Sequence, residues 1–146
     1  MDERFLVALP RAAYTVPVLR NFLKSTLQVH GVCPDCRRDI LVAASEACAN
    51  VVDHGEPAPD YQVSVRIERT FCTLRITHNG RRFTPVAVPV RPAVESESGR
   101  GVFLMHCLMD EVDFAVEPDG RTTVLLSKRL CLLPSAGRSL AATAAG

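Results

Sequence analysis

Apolar residues recur along this chain at two different periods, and the alternation between them predicts the order of its elements. Phe5 to Leu9 is a short apolar run ended by Pro10, which suits an opening strand. A helix is expected from about Thr15, with Pro17 tolerated in its first turn, Leu19, Phe22, Leu23, Thr26 and Leu27 along one face, and Gly31 at its end. The clearest helical pattern runs from Pro34 to His54. There Ile40, Ala44, Ala47 and Val51 keep one face apolar, and Gly55 follows the last turn.

The period then changes to two. Val63, Val65 and Ile67 alternate with Ser64, Arg66 and Glu68, and Cys72, Leu74 and Ile76 with Thr73, Arg75 and Thr77. This predicts an antiparallel hairpin with one solvated face. Residues 84–98 carry three prolines and fit a mobile connection. Gly99-Arg100-Gly101 is expected to open a helix in which Val102, Met105, Leu108, Met109 and Val112 keep helical spacing. Residues 113–116 and 122–130, joined by a Pro-Asp-Gly turn, read as a final hairpin. The resulting fold class is an α/β (α+β) two-layer sandwich, a mostly antiparallel mixed sheet covered on one face by three helices. The expected domain spans residues 1–133, and the small, polar, aperiodic stretch 134–146 reads as a disordered tail.

Composition narrows the functional classes. With 146 residues, 23% charged residues and a formal net charge of +1, the chain fits one soluble domain without a field strong enough to attract DNA or anionic lipid. Nucleic acid and membrane are therefore not expected partners. The start MDERFLVALP lacks a basic signal-peptide region and no apolar run approaches membrane-spanning length, so a cytoplasmic location is expected.

Of the six cysteines, four lie within apolar helix or strand patterns, where Cys packs as a small hydrophobe. Cys33 and Cys36 form a CxxC. No second pair follows, and His30 supplies at most a third zinc ligand, so a loop-to-helix junction is favoured over a zinc or redox switch.

The stretch SEACANVVDHG places Glu46, Asn50, Asp53 and His54 on one helix stripe, roughly 120° around from the apolar face. A polar stripe alone is what a solvated face presents. This one is bordered by Val42, Ala43 and Ala49 rather than by further charges. A carboxylate and a carboxamide one turn apart suit activation of a nucleophile and coordination of a hard cation such as Mg2+. Gly99 and Gly101 at a helix start offer backbone N–H groups to an anion, a weak signal taken singly.

Taken together, Glu46-x-x-x-Asn50, a strand ending at Asn79-Gly80, the connection, SGRGVFLMHCLMDEV and the strand opening GRTTV form an ordered set. Over residues 5–130 this set resembles the ATP-binding domain of gyrase-type ATPases and histidine kinases, with a Bergerat-type fold, and within it the bacterial serine-kinase anti-sigma factors. The resemblance implies ATP and Mg2+ as cofactors, Glu46 as general base and Asn50 as metal ligand. It further implies that His54 frames the pocket, that Gly99, Arg100 and Gly101 wrap the phosphates, and that Thr122 or Thr123 supports the adenine subsite. The implied partners are a sigma factor and an anti-anti-sigma protein, and the implied activity is that of a serine/threonine kinase. Self-association as a homodimer is left open.

One stretch departs from the family. Where these relatives carry a pattern like Asp-x-Gly-x-Gly for the adenine amino group, this chain reads His78-Asn79-Gly80-Arg81-Arg82. Gly80 keeps the first glycine. His78 replaces the charged acceptor and accepts only when neutral. Losing that acceptor is expected to cost about 1 to 3 kcal/mol, or about tenfold to more than a hundredfold in nucleotide affinity. A second reading follows, in which the domain binds a regulatory protein without kinase activity.

Overall fold

The computed structural model describes residues 2–79 and 97–131. The stretch 80–96, with Gly80, Arg81 and Arg82, and the tail from 132 lie outside them, so the expectations of a mobile connection and a disordered tail fall largely beyond what is described.

The elements follow the order β1 (Asp2–Pro10), α1 (Thr15–Val29), α2 (Pro34–His54), β2 (Asp60–Glu68), β3 (Phe71–His78), α3 (Glu97–Leu108), β4 (Glu111–Val116) and β5 (Thr122–Arg129). They form a five-stranded sheet in the order β1-β2-β3-β5-β4, with every pairing antiparallel. The expected α+β class holds. The sheet is wholly antiparallel among the described residues, because each strand pairs with a neighbour reached by a reversal of direction.

Period-two burial is clear in β2 and β3. Val63, Val65, Ile67, Cys72, Leu74 and Ile76 are buried, while Ser64, Arg66, Thr73 and Arg75 lie on the other face and are at least partly accessible. Onto the apolar face α1 packs Leu19, Leu23 and Leu27, each worth about 1.5 to 3 kcal/mol when fully withdrawn from water. Phe22 was expected on that face but is exposed, because the three leucines complete the contact. Its ring instead meets Phe5 of β1 edge-on, 4.7 Å between centroids.

The second helix begins as the junction reading requires. Cys33 is its extended N-cap and Pro34 stands at its first position, where the missing N–H costs nothing. His30 binds Glu3 through Nε2 at 2.9 Å, and no three His, Cys, Asp or Glu side chains among the described residues are grouped to hold a metal. The third helix starts at Glu97, two residues before the glycine pair. Ser and Glu both suit a first helical turn, which extends the helix into the expected connection.

Lys128 ties three elements together. Its Nζ donates to Asp39 of α2 at 3.1 Å and to the Leu108 carbonyl at the end of α3 at 2.7 Å. No helix among the described residues is long and apolar enough to cross a membrane.

Candidate functional site

The elements converge where α2 and α3 cross the end of β3 and the start of β5. In the register of the sheet, His78 stands opposite Thr122 on one side and opposite Tyr61 on the other. Ala47, Asn50, Val51 and His54 from α2, Ile76 and His78 from β3, Met105 from α3, Phe114 from β4, and Thr122 and Val124 from β5 line one cavity. Its lining is mostly apolar with a few convergent polar groups, the usual character of a small-molecule site. Its volume is about 20 Å³, room for a water and not for a purine. A base entering here has to displace lining side chains, among them the buried His78, 6% exposed.

Asn50 carries the most telling atom. Its amide nitrogen is buried without a hydrogen-bond partner among the described residues. A buried amide left unpaired costs about 1 to 3 kcal/mol, and a bound polar ligand would offset that cost. One turn earlier, Glu46 lies against α3 at Gly101. A β-carbon at Gly101 would sit 2.6 Å from Glu46 Oε1, closer than any side-chain contact tolerates. Glycine at this place therefore keeps the carboxylate seated between the helices.

The glycine pair lies further into its helix than expected. Because α3 begins at Glu97, Gly101 lies past the four leading positions whose N–H groups lack an intrahelical partner, and its contribution is the close approach to Glu46. Gly99 and Arg100 remain within those positions, and Arg100 is exposed. Thr122 lines the cavity, whereas the Thr123 hydroxyl pairs with Thr77 at 3.1 Å on the neighbouring register position. His54 reaches the cavity from the last turn of α2, and Asp53 beside it is exposed and absent from the lining. Gly80 lies outside the described residues.

Arg11 was not singled out from the sequence, yet it organises one wall. Its Nε donates to the Ala58 carbonyl at 2.7 Å and its Nη1 to the Val52 carbonyl near the end of α2. A cation on the last turn of a helix meets unsatisfied carbonyls and the negative dipole end. No periodicity marks such a residue, since it stands in a loop and acts across 41 positions of sequence. Phe114 was equally hidden, as one aromatic in a short strand.

Burial first, and the Arg11 guanidinium second, push the His78 pKa below its ordinary 6.5. The imidazole is thus neutral at pH 7 and able to accept a hydrogen bond through one nitrogen. The unfolded chain takes up this proton near pH 6.5, whereas the folded chain does so only at lower pH. Stability contributed by the neutral ring is present above that range and declines as the pH falls below it. Thermal melts through this range are expected to show a falling Tm in the wild type and a shallower fall in His78→Asn. Equal slopes would remove His78 as the source.

A family model described as histidine kinase-like ATPase domain matches residues 9–128. The chain belongs to this family. Membership implies a nucleotide site, and of the residues singled out from the sequence Asn50, His54, His78 and Thr122 line the cavity between α2, α3 and the β3–β5 seam. Among curated proteins, the chain is 24% identical to "Serine-protein kinase RsbW" of Bacillus thuringiensis (strain Al Hakam) over 137 residues, covering 86% of this chain and 84% of that protein. It is 26% identical to the protein of the same name from Bacillus mycoides (strain KBAB4), with the same coverage.

Solved structures agree on the fold. The RsbU and RsbW domains of Rv1364c from Mycobacterium tuberculosis match with a TM-score of 0.66 at 18% identity, over 88% of this chain and 32% of that longer one. The SiaB–SiaC complex from Pseudomonas aeruginosa matches with a TM-score of 0.59 at 13% identity, over 86% of this chain and 89% of the matched one.

Proposed function

We propose that this histidine kinase-like ATPase domain is an ATP-dependent serine/threonine protein kinase of the anti-sigma type, acting on an anti-anti-sigma partner and holding a sigma factor. The observation that carries the reading is the unpartnered buried amide of Asn50 one turn from a carboxylate seated on Gly101. The similarity to serine-protein kinases named RsbW supports the reaction class, and the likeness to SiaB, solved in complex with SiaC, supports a protein partner.

The donor set fits Mg2+ bound with nucleotide. Mg2+ keeps several waters and takes one or two protein oxygens together with phosphate oxygens, so the Asn50 side-chain oxygen would be its ligand, while the unpartnered Asn50 NH2 would donate to a phosphate oxygen. When bound, MgATP supplies the transferable phosphoryl group. The chain's own residues do the rest. Glu46 would accept the proton of the attacking partner hydroxyl, Asn50 would hold the metal and phosphates, and Arg100 at the start of α3 would offer them positive charge. The partly buried Glu46 lies against Gly101 of α3, one helical turn from Asn50, which supports its assignment as the base.

A specific observation favours a second reading. The cavity volume of about 20 Å³ and the buried ring of His78 suit a domain that binds its protein partner with its nucleotide pocket closed. A calorimetric titration with MgATP of the wild type beside His78→Asp separates the two. Restoring a charged acceptor is expected to tighten binding about tenfold to a hundredfold. Binding absent from both proteins at millimolar nucleotide would overturn the kinase reading and leave the protein-binding one.

A further inference from the structure

Away from the nucleotide site, three cysteines meet where the first turn of α2 abuts the end of β5. Cys33 is the N-cap of α2, Cys36 stands one turn into the helix, and Cys131 follows β5 by two residues. Cys33 N–H donates to the Cys131 carbonyl at 2.9 Å, and Cys131 N–H donates to Cys36 Sγ at 3.4 Å. These two hydrogen bonds bring the N-cap of α2 and its first turn against the residue that follows β5. All three are free thiols. Only the first two were visible as a motif. The third comes from 95 positions further along the chain.

We propose that this cluster is a thiol–disulfide site in which Cys33 and Cys131 are joined by a peroxide-class oxidant, clamping the start of α2 to the end of β5. The backbone hydrogen bond between the same two residues brings their main chains together, which a disulfide between them requires. Cys36 is the less suitable partner. It is buried, and its sulfur is engaged by the Arg129 carbonyl at 3.8 Å and by the Cys131 N–H. Cys131 is exposed and its sulfur can turn toward an incoming bond.

The three thiols differ in reactivity. Burial pushes the Cys33 thiol up, but the Cys36 backbone N–H and the neighbouring thiols outweigh it, and the net direction is down. Cys36 is raised chiefly by burial, and Cys131 chiefly by its contact with Cys33. Cys33, the N-cap whose thiol is shifted downward, is thus assigned as the nucleophile of the cluster. Its sulfur attacks one peroxide oxygen, the O–O bond breaks, and a sulfenic acid forms with release of water. The Cys131 thiol then attacks the sulfenic sulfur, the S–S bond forms and a second water leaves. Two thiols and one peroxide give one disulfide and two waters.

The site is independent of the nucleotide reading, and its test needs no nucleotide. The full chain is treated with hydrogen peroxide, its remaining thiols are alkylated, and its peptides are mapped by mass spectrometry with and without dithiothreitol. A reducible link between Cys33 and Cys131 is expected, with Cys48 and Cys72 unmodified because burial pushes both thiols up to about 12. In Cys131→Ser the sulfenic acid should persist at Cys33 and be trapped by dimedone. Cys33→Ser, which keeps a good N-cap, should form no link. The oxidised wild type should melt higher than the reduced form by on the order of 10 °C, since the clamp closes a long loop. A bond from Cys33 to Cys36, no reducible link, or an unchanged melting temperature would overturn the proposal.

Discussion

Gly101→Ala is expected to lower phosphoryl transfer by about a hundredfold to ten-thousandfold, the usual worth of a positioned general base, while the domain still folds. The reason is local. The new methyl would lie 2.6 Å from Glu46 Oε1, and the atom that has to give is the far end of a flexible side chain rather than backbone. The carboxylate therefore swings away before α2 and α3 separate. Transfer of radiolabelled phosphate to a serine-bearing partner measures the loss, and the melting temperature checks the fold. A variant that melts normally and transfers phosphate at the wild-type rate would show that the seat of Glu46 is irrelevant to the chemistry. A variant that retains activity only at reduced stability would place the role of Gly101 in packing alone.

Asn50→Ala should weaken MgATP binding by about tenfold to more than a hundredfold, corresponding to about 1.5 to 3 kcal/mol for a hydrogen bond or ligand to a charged group. Its second expected effect separates a binding residue from a structural one. The Asn50 amide is buried and unpartnered among the described residues, so removing it relieves a cost, and the melting temperature should stay level or rise. Calorimetry and thermal melting on the same sample test both halves. A destabilised variant with unchanged affinity would mean that Asn50 serves the fold and that the metal–phosphate assignment is wrong.

Much of this architecture was legible because long amphipathic elements announce themselves by period. The bounds of α2, Pro34–His54, coincide with those read from Ile40, Ala44, Ala47 and Val51, bracketed by a proline at the first turn and a glycine after the last. The hairpin of β2 and β3 was equally clear from its alternation. Phe22 was misplaced because periodicity gives the direction of a face and not its width, and three leucines filled the contact first.

The site was legible in part, for a related reason. Glu46, Asn50 and His54 share one helix, so their proximity follows from spacing alone. That Thr122 rather than Thr123 lines the cavity depends on the register between β3 and β5, which alternation leaves open by one residue. Arg11 and Cys131 carry no local pattern at all. Their roles arise from contacts across 41 and 95 positions, and only the closed sheet brings those partners together.

The pairing of His78 with Thr122 has a consequence for how the protein becomes competent during synthesis. The strand that completes the cavity is the last of the five to emerge, and it inserts between β3 and β4 rather than adding at an edge. A ribosome-bound chain ending before Thr122 holds both binding helices and four of the five strands, yet lacks the wall against which a base would rest. Such a loop closes late, since long-range strand pairing forfeits chain entropy before it gains contacts. Competence for nucleotide should therefore arise in one step once β5 has emerged, with no partially active precursor along the way.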